Sequence, residues 1–140
     1  MKRFVVRPFS VIVIFLLVAF CFWPPHFTVA EDHPDTPGVQ IHTTTVDGYK
    51  FDYTLYDFPE RKTQHLMVSL TGPEGTAVLQ GKVGFLLKGP DGVKQKAMTM
   101  GMKGAYGADM DFSQKGLYSI KTKAVVGDKK LFDQFDYEVK

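Results

Sequence analysis

The chain has 140 residues, with 17 basic against 15 acidic side chains, 44% hydrophobic content and a single cysteine. That length makes one domain plus a short extra segment. One cysteine excludes an internal disulfide framework and any site built from several thiolates.

Lys2, Arg3 and Arg7 open the chain, and an uninterrupted apolar run follows from Val11 to Phe22. Trp23-Pro24-Pro25 breaks it, and Thr28-Val29-Ala30 supplies small residues before Glu31. This is the pattern of a secretory signal peptide over residues 1–30. The run is shorter than the roughly 20 apolar residues of a membrane-spanning helix. Its apolar flanks, Phe9 to Trp23, leave an uncleaved anchor as the alternative. Cys21 follows Phe20 where a lipid-attachment site wants a small residue, so it reads as part of the run. The expected location is periplasmic or secreted, or on the outer face of the cytoplasmic membrane if the anchor is kept. Residues 1–30 hold three basic residues and no acidic one, which leaves 14 basic and 15 acidic residues in the remainder. Because those lysines interleave with Asp and Glu along the chain, no nucleic-acid footprint is expected. With no cysteine left, an apolar core must stabilise the remaining domain.

Residues 31–38, with Pro34, Pro37 and Gly38, read as a flexible leader. Thereafter apolar residues alternate with polar ones. Val39 to Val46 is a Thr-rich candidate edge strand. Tyr49, Phe51, Tyr53 and Leu55 share a face, as do Leu66, Val68 and Leu70, and Val83, Phe85 and Leu87. Tyr106, Ala108, Met110 and Phe112 follow, then Tyr118 to Val126 and Leu131 to Val139 in the same rhythm. Period two predicts half-buried β-strands, and no helical period is present. Asp47-Gly48, Gly72-Pro73-Glu74-Gly75, Gly89-Pro90-Asp91-Gly92 and Gly127-Asp128 are turn sequences. The two Gly-Pro-acid-Gly stretches read as one loop solution used twice. The fold class is therefore all-β, an antiparallel immunoglobulin-like β-sandwich of seven to eight strands over residues 39–140. Gly116-Leu117-Tyr118 resembles a tyrosine corner, whose hydroxyl bonds back to nearby backbone.

Gly81-Lys82-Val83-Gly84-Phe85, Gly89-Pro90-Asp91-Gly92, the segment Met98 to Met102 and Gly116-Leu117-Tyr118 carry a wider likeness. From about His65 onward the chain resembles YtkA-like domains, exported immunoglobulin-like sandwiches of bacteria that are discussed beside CopC-type copper proteins. In that family a paired-Met strand commonly precedes the Gly-x-Tyr strand. This chain departs from it in having no histidine after the Met run.

Met98, Met100 and Met102 alternate with Thr99, Gly101 and Lys103. In one extended strand three thioethers so spaced lie on one face. Two uses compete. Methionine fills irregular cores, which would leave Thr99, Gly101 and Lys103 toward solvent. Thioether sulfur also selects Cu(I), so the same face makes a candidate soft-metal site. His65 and Met67 have the same spacing and would point outward beside Ser69, opposite Leu66, Val68 and Leu70. If their strand lies near the Met run, His65, Met67 and several methionines surround one ion. His42 reads as a surface residue, and His26 and His33 lie in the targeting segment and leader. Asp109, Asp111, Asp133 and Asp136 read as solvated faces. No nucleophile elbow, His-Glu-x-x-His or phosphate loop is present, so no enzyme is expected. The leading expectation is an exported protein binding Cu(I) or another soft metal. The alternative is a non-catalytic module docking on an envelope protein through an edge strand or through aromatics among Phe51, Tyr53, Tyr56 and Phe58.

Overall fold

The computed structural model describes residues 37–140. The expected signal segment with Cys21 and His26, and most of the leader with His33, lie outside the described residues.

The described residues are all β, without a helix. The strands are β1 (Val39–Val46), β2 (Tyr49–Tyr56), β3 (Gln64–Thr71), β4 (Lys82–Lys88), β5 (Lys94–Met98), β6 (Met100–Met102), β7 (Ala105–Met110), β8 (Gly116–Val126) and β9 (Lys129–Val139). They form two antiparallel sheets, one ordered β1-β2-β3-β7-β6 and the other β5-β4-β8-β9. β1, the expected edge strand, is an edge of the first sheet.

The core forms where the inner faces of the sheets meet. Phe51, Tyr53, Leu66, Val68, Leu70, Tyr106 and Met110 come from the first sheet, and Val83, Phe85, Leu87, Ile120, Ala124, Leu131 and Phe135 from the second. These are the residues whose alternation marked the inner faces, because each strand has one dry and one wet side. The repeated loops are also alike in detail. The Gly75 amide bonds the Gly72 carbonyl at 3.0 Å, and the Gly92 amide bonds the Gly89 carbonyl at 3.0 Å. The second glycine of each lies at φ near +82° and +81°, a region that side chains disfavour.

Nine strands rather than seven or eight result from one departure. The Met98–Met102 stretch is not a single strand. β5 ends at Met98 in the second sheet, and β6 begins at Met100 in the first. Thr99 is the crossing point. Its amide and its hydroxyl both bond the Val83 carbonyl, at 3.0 and 2.9 Å. Thr99 is thus half-buried with its hydroxyl turned to protein, and the single shared face expected for Met98, Met100 and Met102 does not exist.

Two groups, His42 and Asp133, are less exposed than their sequence context indicated. His42 stacks on the Phe135 ring at 4.1 Å, with Nε2 3.8 Å from Asp133 Oδ2. Asp133 points inward, and its Oδ2 is buried without a hydrogen bond, as are Tyr53 Oη and Thr122 Oγ1. Of the aromatic set, Phe51 and Tyr53 are core, whereas Tyr56 and Phe58 stack on each other at 6.4 Å outside it.

The bond expected of Tyr118 is present. Its hydroxyl donates to the Gln114 carbonyl at 2.9 Å and accepts from the Gln114 amide at 3.0 Å. Tyr118 and Tyr53 therefore respond in opposite ways to loss of a hydroxyl. Tyr118→Phe strands two backbone groups and lowers unfolding free energy by about 1–3 kcal/mol. Tyr53→Phe removes a buried hydroxyl that lies beside Thr122 and Asp133 without a well-formed hydrogen bond, and changes stability by less than about 1 kcal/mol. Urea unfolding of the two variants beside the parent checks the contrast.

Candidate metal centre

Burial of Leu66, Val68 and Leu70 turns His65, Met67 and Ser69 to the outer face of β3. In β7, Tyr106 and Met110 are buried in the core and Ala108 packs against it, so Gly107 and Asp109 take the outer face. The register then joins what the sequence separates. His65 stands opposite Asp109, and Met67 opposite Gly107. On the far side of β7, Met100 also stands opposite Gly107. Met67 and Met100 thus flank one glycine across three adjacent strands, two strand spacings or roughly 10 Å apart at the backbone.

Gly107 leaves a slot where any other residue would carry a side chain, and the His65 ring lies over it. A Cβ at Gly107 would meet His65 Nε2 first, with Cε1 at 2.9 Å and Cδ2 at 3.2 Å. The other ring nitrogen is held. His65 Nδ1 lies 2.7 Å from Asp109 Oδ1, while Arg61 Nη1 lies 3.5 Å from Asp109 Oδ2. An ionised carboxylate only accepts hydrogen bonds, so Nδ1 carries the proton toward Asp109. In the neutral ring the lone pair is then on Nε2, which faces the slot. Histidines that bind metals through one nitrogen commonly donate the other N–H to a carboxylate in this way.

The two methionines differ in exposure. Met67 is half-buried, whereas Met100 is 84% exposed. Beneath β6 the Tyr106 ring packs under Gly101, and its hydroxyl donates to the Val78 carbonyl at 2.7 Å. Burial pushes the Tyr106 phenol above its ordinary pKa, so it stays a neutral donor. Past the other end of β7, the Ser113 hydroxyl and amide hold Asp111 below the usual carboxylate range.

Of the residues expected at a metal site, the fold brings together His65, Met67 and Met100. Met102 stands in the next row, its backbone opposite Ala105. Met98 does not join them. It lies on the outer face of the second sheet opposite Gly84, is 68% exposed, and its Sδ occupies the space above that glycine. The packing use of the run also fails for Met98 and Met100, because both are exposed. Asp109, Gly107 and Arg61 complete the centre and were not anticipated. Alternation put Asp109 and Gly107 on the outer face, but only the pairing of β3 with β7 puts them beside His65. Among the described residues no three His, Cys, Asp or Glu side chains converge. The donor set is one imidazole with thioethers, which is a soft set.

The contact between His65 and Gly107 is testable by a double-mutant cycle. Gly107→Ala forces the ring aside and costs about 1–3 kcal/mol. In a His65→Ala background the added methyl meets open space, and most of that cost disappears. Thermal or urea unfolding of the four proteins reads the coupling. No protein-family model, curated protein or solved structure matches the chain.

Proposed function

We propose that this domain binds a soft metal ion, Cu(I) in the first instance, and holds or passes it outside the cytoplasm without catalysing a reaction. The observation that carries the reading is the orientation of His65. Asp109 fixes one ring nitrogen, and the other stands over Gly107 between Met67 and Met100. These residues would hold the ion, with Met102 the next donor to test. The site lies on an open sheet face, which suits exchange with a partner more than permanent storage. Thioethers need no deprotonation, so the methionine donors would stay competent in acid. Within this reading the two-sheet domain is immunoglobulin-like and of the YtkA-like kind, exported by residues 1–30. The Tyr118 hydroxyl bond supports the first part, and the basic and apolar N-terminal sequence supports the last.

Competition between the full-length protein and a chromophoric Cu(I) chelator tests this, with Cys21→Ser in every protein to remove the lone thiol. The parent takes up one equivalent of Cu(I). Met67→Leu/Met100→Leu abolishes competition, and Asp109→Ala weakens affinity by about 10–100-fold. Met98→Leu leaves affinity unchanged. Competition that survives the double leucine variant, or that Met98→Leu reduces as much, overturns the assignment.

A further inference from the structure

The outer face of the second sheet has a charge pattern that the linear sequence hides. Register places its outward residues in rows. Lys82 and Lys130 flank Val125; Met98, Gly84, Lys123 and Phe132 form the next row. Lys96, Leu86, Lys121 and Gln134 follow, and then Lys94, Lys88, Ser119 and Asp136. Seven lysines thus share one face with two carboxylates, Asp136 and Glu138. The other described residues carry seven basic and ten acidic side chains. Among the described residues none of the seven ammonium groups is in an ion pair. Their repulsion is left uncompensated by the domain itself.

The face is not purely polar. Met98, whose Sδ lies over the bare backbone of Gly84, and Phe132, at the other end of the same row beyond Lys123, border a groove of about 660 Å³. Leu86 and Val125 contribute to its floor, and Lys96, Lys121 and Lys123 stand around it. Phe132 is 62% exposed, and Lys123 Nζ lies 5.7 Å from its ring centre. An inorganic polyanion would use the lysines but gain nothing from an apolar groove, and Phe132, the one aromatic ring among these outward residues, offers a single strand of nucleic acid only one stacking site. A bilayer surface supplies both partners, phosphate charge for the lysines and acyl carbon for Phe132, Met98 and the groove.

We propose that the β5-β4-β8-β9 face docks on an anionic phospholipid surface, the lysines meeting headgroup phosphates and Phe132 and Met98 entering the interface. The domain then lies with its second sheet on the membrane and the His65 centre, on the other sheet, turned toward solvent.

A fluorophore sensitive to its surroundings, attached to the full-length protein at Gln134→Cys with Cys21→Ser, tests the proposal whatever residues 1–30 do. A second label at Ser69→Cys, on the outer face of the other sheet, serves as control. With vesicles rich in phosphatidylglycerol, the label at 134 shifts to the blue and becomes shielded from iodide, while the label at 69 does not. The shift is absent with phosphatidylcholine vesicles and falls at least tenfold between low and high salt. Lys96→Gln/Lys121→Gln/Lys123→Gln, three exposed and structurally neutral changes, abolishes it, and an unchanged melting temperature confirms their neutrality. An equal shift with neutral vesicles, an equal response at position 69, or no response overturns the proposal. So does a shift produced by polyphosphate or single-stranded DNA that vesicles do not match, which assigns the face to a soluble polyanion.

Discussion

Contact between two inner sheet faces carries this domain. The described part has no cysteine and no helix to cover a sheet, so each strand can hide apolar area only against the opposite sheet. That forces period two on the sequence, and period two in turn decides every outer face. Once Leu66 and Val68 go inward, His65 and Met67 have no choice but to go outward. Once Phe85 and Leu87 go inward, Gly84 and Leu86 line the opposite surface with lysines. The outer faces, where binding chemistry can sit, are consequences of the core.

Thr99 shows how a local bond redistributes that chemistry. By giving both its amide and its hydroxyl to the Val83 carbonyl, it ends β5 and releases the chain into the other sheet. Met98 stays behind on the lysine-rich face, and Met100 moves to the edge beside Gly107. A run that is contiguous in sequence is divided between two sheets. The second Gly-Pro-acid-Gly loop, by contrast, stays local and repeats two backbone bonds of the first.

Much of the fold was legible because alternation and turn chemistry are local signals. The inner residues of β2, β3, β4, β7, β8 and β9 can be read off directly, and so can the Tyr118 hydroxyl bond. What was not legible depends on which strands are neighbours. The split at Thr99 needs the position of Val83, sixteen residues upstream. The Asp109–His65 pair needs β3 to lie beside β7, a separation of 44 residues. Asp133 lies inward with Leu131 and Phe135, because strand parity and not carboxylate polarity sets its side. The same parity redistributes charge. Lysines that interleave with acids along the chain are gathered on one side by pairing, since strand neighbours and not sequence neighbours set the local field.

The exposure of Met100 has a chemical consequence. Two-electron oxidation of a thioether to its sulfoxide attacks accessible sulfur first, and it replaces a soft donor by a hard, polar oxygen. Met110, 1% exposed within the core, is shielded from that fate, whereas Met98 and Met100 stand in the path of any oxidant in solution. Damage would therefore fall on the outer faces and spare the core, and the surface would lose its thioethers while the fold kept its shape. Repair by a methionine sulfoxide reductase would restore such a surface without the chain ever unfolding.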